Sequence, residues 1–349
     1  MQRLLLSTLV ALTLAIPGAR AAERLPALGV ATERTSVSGI SSGAYMAGQF
    51  QLAFSADVVG AGIVAGGPWG CAAGGWGLLR RLPFGGTVNI SRAFYRCMAT
   101  SAGVPDATTL AERAFALARE GRIDPIENLR DDRVYLFHGE ADNVVARPVV
   151  LAAAAFYQSL GVPPSALRTV LRLPDGRAGH GFIVDRGGSA CDANASPFLA
   201  TCGYDQAGEI LAWIYPDLQW SPSEPQGRFI VFDQTEFLKN ADAGLAQEGV
   251  AFVPPGCREA PGCRVHIVFH GCLQSRTDPT IGDRFVEGSG FQRHADANRL
   301  VILFPQTDAE TAPNGCWDWW GYTGSDFLSQ RAPQLAAVRA MLDRLGERP

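Results

Sequence analysis

Gly39-Ile40-Ser41-Ser42-Gly43 is the only G-x-S-x-G in the sequence, and it lies between a run of β-formers, Thr35-Ser36-Val37-Ser38, and a helical stretch from Ala44 to Phe54. A serine on a sharp strand-to-helix turn is presented above a sheet with its Oγ at a helix N-terminus, the setting of a nucleophile elbow. The flanking glycines let strand and helix approach closely around such a turn. An ordinary serine-rich turn is the competing reading; a β run on one side and a helix on the other favour Ser41 as a nucleophile.

An elbow of this kind needs a mostly parallel sheet flanked by helices, and the remaining hydrophobic runs supply one. Strands are expected at Val58 to Val64, Val134 to Phe137, Arg168 to Leu173, Phe229 to Phe232, Val250 to Val253, Val265 to Phe269 and Leu300 to Phe304. Helices are expected at Ala107 to Arg119, Val149 to Leu160, Ala207 to Ile214 and Ala332 to Leu345. The chain is therefore read as α/β. Its one linker-like segment, about 215–227, carries Pro216, Pro222 and Pro225. The four strands beyond it are too few for a second core, so residues 22–349 are read as a single domain.

The first 21 residues have the three parts of a secretory signal peptide: a basic start at Arg3, an apolar run from Leu4 to Ile16, and small residues at Ala19 and Ala21 before a cut at Ala22. The run is short for a bilayer span. The product is thus expected to be secreted or periplasmic, with no membrane insertion. Thirty basic against 34 acidic residues give a net charge of −4, which leaves no electrostatic footprint for nucleic acid. In an oxidising compartment an even set of eight cysteines reads as disulfides. Cys191 with Cys202 and Cys257 with Cys263 would close short loops; by elimination Cys71 could pair with Cys97 and Cys272 with Cys316, though sequence alone leaves other pairings open. A zinc site is the rival, but there is no C-x-x-C and no histidine at ligand spacing, so no metal is expected.

A serine nucleophile needs a base held by a carboxylate. In α/β-hydrolases these follow in the order serine, acid, histidine, on loops after later strands. Asp142 follows the strand ending at Phe137, with Glu140 as the fallback, and His180 follows the next strand. Of the other histidines, His138 at a strand end suits a supporting hydrogen bond, His266 inside a strand suits a structural role, and His294 is expected to be solvated. One oxyanion donor would be the Ser42 N–H. The second usually comes from a His-Gly loop upstream of the serine, but here the matching run, Val265 to Phe269 followed by His270-Gly271-Cys272, lies far downstream. A circular permutation resolves this, with the last four strands of the sheet first and the first four after the 215–227 connection. The Cys272 N–H then becomes the second donor.

These segments resemble the poly(3-hydroxybutyrate) depolymerases of the single-domain, circularly permuted kind. The resemblance rests on Ser38-Gly39-Ile40-Ser41-Ser42-Gly43-Ala44-Tyr45-Met46, Phe137-His138-Gly139-Glu140-Ala141-Asp142, Ala178-Gly179-His180-Gly181, Cys202-Gly203-Tyr204-Asp205, His270-Gly271-Cys272-Leu273-Gln274 and Cys316-Trp317-Asp318-Trp319-Trp320. It implies Ser41, Asp142 and His180 as the triad, Ser42 and Cys272 as oxyanion donors, no cofactor, and a polyester polymer or oligomer as substrate. Trp317, Trp319 and Trp320, with Tyr45 after them, are candidates for the substrate groove, core packing being the competing reading for any one of the three tryptophans; Trp69 and Trp76 rank with Tyr45. Many secreted members carry a linker and a polymer-binding domain beyond the catalytic part. None follows the helix ending near Leu345, which argues against efficient attack on crystalline polymer and leaves amorphous polymer, oligomers or another short-chain polyester as the expected substrates. The alternatives are a feruloyl or acetyl-xylan esterase on the same fold, a catalytically silent polyester-binding protein, and a non-enzymatic disulfide-stapled surface protein.

Overall fold

The computed structural model describes residues 22–74, 85–174, 176–220, 224–239 and 243–348. The leader 1–21 and Trp76 lie outside the described residues. The strands are β1 Thr35–Ile40, β2 Val58–Val64, β3 Arg133–Phe137, β4 Leu167–Val170, β5 Phe182–Val184, β6 Ser189–Ala190, β7 Leu199–Thr201, β8 Arg228–Asp233, β9 Glu248–Val253, β10 Arg264–Phe269 and β11 Leu300–Phe304. The helices are α1 Ser42–Ala53, α2 Gly85–Arg92, α3 Ala107–Arg119, α4 Arg147–Ser159, α5 Gln206–Ile214, α6 Pro255–Glu259, α7 Arg284–Gly288, α8 Gln292–Ala295 and α9 Pro333–Gly346. A π-helical turn, Ala93–Met98, continues α2.

Eight strands make one sheet in the order β4-β3-β2-β1-β10-β11-β9-β8. From β4 to β11 every neighbouring pair is parallel, while β9 runs antiparallel to both β11 and β8. The central pairing joins β1 to β10, with Ser38 opposite Val268 and Gly39 opposite Phe269. The four strands before the 215–227 connection thus form one half of the sheet and the four after it form the other, as the permutation requires.

The near-continuous apolar runs follow from burial on both faces. On β3, Val134 and Leu136 enter one core with α1, α3, α4 and α9, whereas Tyr135 and Phe137 enter a second core with α5, α7 and α8. Arg168 to Leu173 is expected to be one strand, but pairing stops at Val170. Leu173 instead makes an isolated bridge to Gly176 as the chain turns toward the site. A small sheet, β5-β7-β6, follows. Its strands span only two or three residues and carry no periodicity that sequence reasoning could detect. Among the described residues, no helix is long and apolar enough to cross a membrane.

The bridges are Cys71–Cys97, Cys191–Cys202, Cys257–Cys263 and Cys272–Cys316. The first, second and fourth lie around one end of the sheet, where β1, β3 and β10 deliver their C-terminal loops.

Candidate active site

Ser41 occupies the tight turn between β1 and α1 with φ 56° and ψ −120°. This is a costly conformation for a residue with a Cβ, and one that local structure must enforce. The glycines explain how. A Cβ on Gly39 would lie 2.3 Å from the Gly43 carbonyl oxygen, and one on Gly43 would lie 2.2 Å from the Phe269 carbonyl oxygen. Helix α1 therefore starts directly against the end of β10. The Ser41 N–H donates to Val64 O (2.9 Å), and its side chain caps no helical N–H.

The candidate acid, Asp142, and the candidate base, His180, lie on the chain segments that follow β3 and β4. The His180 Nδ1–H donates to Asp142 Oδ2 at 2.9 Å, with both side chains almost wholly removed from solvent. A carboxylate only accepts, so Nδ1 carries the hydrogen and Nε2 remains an acceptor. The other carboxylate oxygen, Asp142 Oδ1, accepts from Val144 N–H (2.9 Å) and Val145 N–H (3.0 Å). Glu140 pairs instead with Arg172, at 3.6 Å. His138 Nε2–H donates to Val145 O (3.1 Å), bracing the same turn, and burial holds its pKa below the ordinary histidine value. Gly139 fits beneath Ala178 O, 2.3 Å from where a Cβ would be, so the acid loop closes tightly on the base loop.

The loop after β10 reaches the elbow from the other side. A Cβ on Gly271 would stand 3.4 Å from Ser41 Cβ and 3.3 Å from Ile40 O. Gly271 N–H donates to Gln274 Oε1 (2.6 Å) and Leu273 N–H to Asn314 O (2.9 Å). The Cys272 N–H between them has no acceptor among the described residues. The Ser42 N–H heads α1, where first-turn donors have no intrahelical partner. His270 supports the loop from below. Its Nδ1–H donates to Gly271 O (2.7 Å) and its Nε2 accepts from Thr307 N–H (3.2 Å), which fixes a neutral tautomer; burial pushes its pKa down to about 4.

Ser41, His180 and Cys272 all line one cavity of about 280 Å3. Its walls are mainly carbon, from Ile90, Ala93, Phe94, Met98, Val144, Phe198, Leu273, Trp319 and Trp320. Trp319 stacks on Tyr45 with ring centroids 4.2 Å apart, and Trp320 meets Trp319 edge-on.

Two of the four aromatic candidates are not on this wall. Trp317 is fully buried between Phe269 and His270, at the start of a turn that Asp318 anchors by accepting from the Gly321, Tyr322 and Thr323 N–H groups. Tyr45 lies beneath Trp319 with its hydroxyl donating to Cys97 O. Trp69 is likewise core, against Phe156. His294 departs from its expected solvation: it is buried, and its Nε2 is bonded to Asp205 at 2.8 Å, since its short helix packs on α5 rather than facing water. His266 is buried between Ser36 and Ser38.

Sequence reasoning missed Asn194, whose amide bonds to both the acid and the base loops, and Phe198, whose ring meets His180 edge-on. Gln274, quoted without a role, links Gly271 to the Pro197 and Phe198 carbonyls. An amide two residues beyond a cysteine is too common a pattern to single out.

No family model matches the chain. Among curated proteins it is 40% identical over 331 residues to the poly(3-hydroxybutyrate) depolymerase of Delftia acidovorans, covering 93% of this chain. The chain spans 62% of the length of that relative. It is 32% identical over 338 residues to the polyhydroxybutyrate depolymerase of Talaromyces funiculosus, covering 91% of each. Among solved structures it superposes on the PHB depolymerase from Penicillium funiculosum with a TM-score of 0.79 and 29% identity, over 93% of this chain and all of that one. A PHB depolymerase complexed with an R3HB trimer gives 0.78 at the same identity and coverage.

Proposed function

The chain belongs to the polyhydroxybutyrate depolymerases, serine hydrolases of carboxylic esters, and from that membership we propose that it hydrolyses poly(3-hydroxybutyrate), or a related short-chain polyester and its oligomers, through an acyl-enzyme on Ser41. The observation that carries the reading is the His180–Asp142 pair facing the same apolar cavity as the strained Ser41 elbow.

His180 Nε2 takes the Ser41 proton as Oγ attacks the ester carbonyl. The carbonyl oxygen gains negative charge and is stabilised by the Ser42 and Cys272 N–H groups. When the tetrahedral intermediate collapses, His180 returns the proton to the departing hydroxyl end of the chain. Water, deprotonated by His180, then attacks the acyl-serine and releases a 3-hydroxyacid. Asp142 holds the imidazole tautomer and stabilises the imidazolium in both halves. Trp319 and Trp320 form the wall along which the polyester lies. The site needs no cofactor or metal for these steps.

Residues 22–349 act as one catalytic domain after removal of 1–21, a reading supported by the single sheet that both halves share. Four disulfides support an exported protein, secreted or periplasmic.

The test is incubation with amorphous poly(3-hydroxybutyrate), products resolved by mass, with feruloyl and acetyl-sugar esters in parallel. Release of 3-hydroxybutyrate or its oligomers, lost in Ser41→Ala, is the expected result. Preference for the sugar esters, or turnover retained in Ser41→Ala, overturns it.

A further inference from the structure

Asn194 sits in the loop closed by the Cys191–Cys202 bridge, on the cavity wall beside His180. Its Oδ1 accepts from the His180 backbone N–H (2.8 Å) and from Asn143 N–H (3.2 Å). Its Nδ2 donates to Ala141 O (3.0 Å) and Asp192 O (3.1 Å). A primary amide has two donor hydrogens and two acceptor lone pairs, so the group is saturated. Three of the four bonds go to the base itself and to the two neighbours of the acid. A planar amide with every bond made has one orientation. It therefore fixes the separation of the Asp142 and His180 backbones from outside the pair. Besides it, the Ala141 N–H to Ala178 O bond (2.8 Å) ties the same two loops.

We propose that Asn194 is a positioning residue for the reaction: by clamping the acid loop to the base loop it holds the His180 ring on the line between Asp142 and Ser41. The inference rests on the catalytic reading of Ser41, Asp142 and His180. Its chemistry is separable by substitution. Asn194→Ala removes all four bonds. Asn194→Asp keeps both acceptor bonds, loses both donor bonds, and brings a negative charge near the imidazole, which favours the imidazolium.

The experiment measures kcat and KM on a soluble short-chain ester across pH, together with the downfield proton resonance of His180 Nδ1–H, which needs no turnover. Misplacement of a catalytic group by about 1 Å costs on the order of 100-fold in rate. Asn194→Ala is accordingly expected to lose about 10- to 100-fold in kcat with KM changed less than about threefold, and to shift or broaden the resonance. Asn194→Asp is expected to move the acid limb of the profile toward higher pH. If Asn194→Ala does not fold, the limb and the resonance of Asn194→Asp decide the question. Both folded variants within about twofold of wild type, or a loss of kcat with limb and resonance unmoved, overturns the proposal. Failure of the catalytic reading would show separately, as Ser41→Ala retaining turnover, and the resonance would still report on Asn194.

Discussion

On one side of Ser41, the proposed acid and base stand 38 positions apart and meet through side-chain bonds: His180 to Asp142, with Asn194 and the Val144 and Val145 amides around them. On the other side, the Cys272 N–H arrives on a strand whose partner lies 230 positions away, Ser36 against His266. There the alignment is made by parallel pairing, by glycines with no clearance for a Cβ, and by a disulfide. The first side can be altered without disturbing the sheet, whereas the second is continuous with the centre of the sheet. Substitutions on the first side should separate activity from stability, and those on the second should change both.

The largest effect tests the pivot they share. Ser41→Ala should lower kcat by about a million-fold with an unchanged melting temperature. It should also leave the φ-positive turn in place, checked by circular dichroism and thermal denaturation. Asp142→Asn should come next, at about 10⁴-fold in kcat, because the wrong imidazole tautomer would then be favoured. Unfolding in denaturant should show little change, and a matching loss of stability would erase the contrast drawn above.

Cys272→Ser with Cys316→Ser tests the opposite side. Loosening an oxyanion donor costs up to about 100-fold in kcat, and removing a bridge of this span costs about 2–5 kcal/mol. Both losses should appear together in single-turnover acylation and in denaturant unfolding. Activity falling alone would place the bridge with the side-chain-held part.

Trp319→Ala should be milder, with oligomer turnover falling about tenfold and hydrolysis of a small soluble ester falling less. Equal losses on both substrates would assign Trp319 to packing against Tyr45.

The smallest effect is on the pH dependence of stability. Burial holds His270 near 4 and His266 near 3, below the ordinary histidine value of about 6.5. Between those limits the unfolded chain binds protons that the folded chain refuses. Stability therefore rises with pH in this range and is lost as pH falls from about 6.5 toward 4. Asp132 works in the opposite direction: burial raises it to about 7, and only partly does the Gln51 hydrogen bond lower it. Its native form holds a proton that the unfolded chain releases, so its share is lost as pH rises from about 4 to 7. Denaturant midpoints against pH for Asp132→Asn and the parent would isolate the histidine part as the steeper acid-side fall.

The parts legible in the sequence are those carried by type and order. The elbow, the Ser41–Asp142–His180 succession and the displaced His270-Gly271 each combine a residue pattern with a strand end, and a parallel sheet dictates which ends face one another. Facing direction was not legible. Trp317, Trp319 and Trp320 are one composition, yet Asp318 anchors their turn through Gly321, Tyr322 and Thr323 N–H bonds, and the turn sends Trp317 inward. His294 read as polar surface because four residues give no reliable period. Asn194 acts through four bonds to loop backbone, which no local pattern announces.

The β1–β10 pairing also sets a timetable. A chain made from its amino end delivers Ser41 more than two hundred residues before Cys272, the proposed donor opposite it. Contacts of such separation close late, after more local structure has formed. Until they do, the proposed nucleophile lacks the second of its two proposed oxyanion donors, so full activity is expected only once β10 has paired with β1.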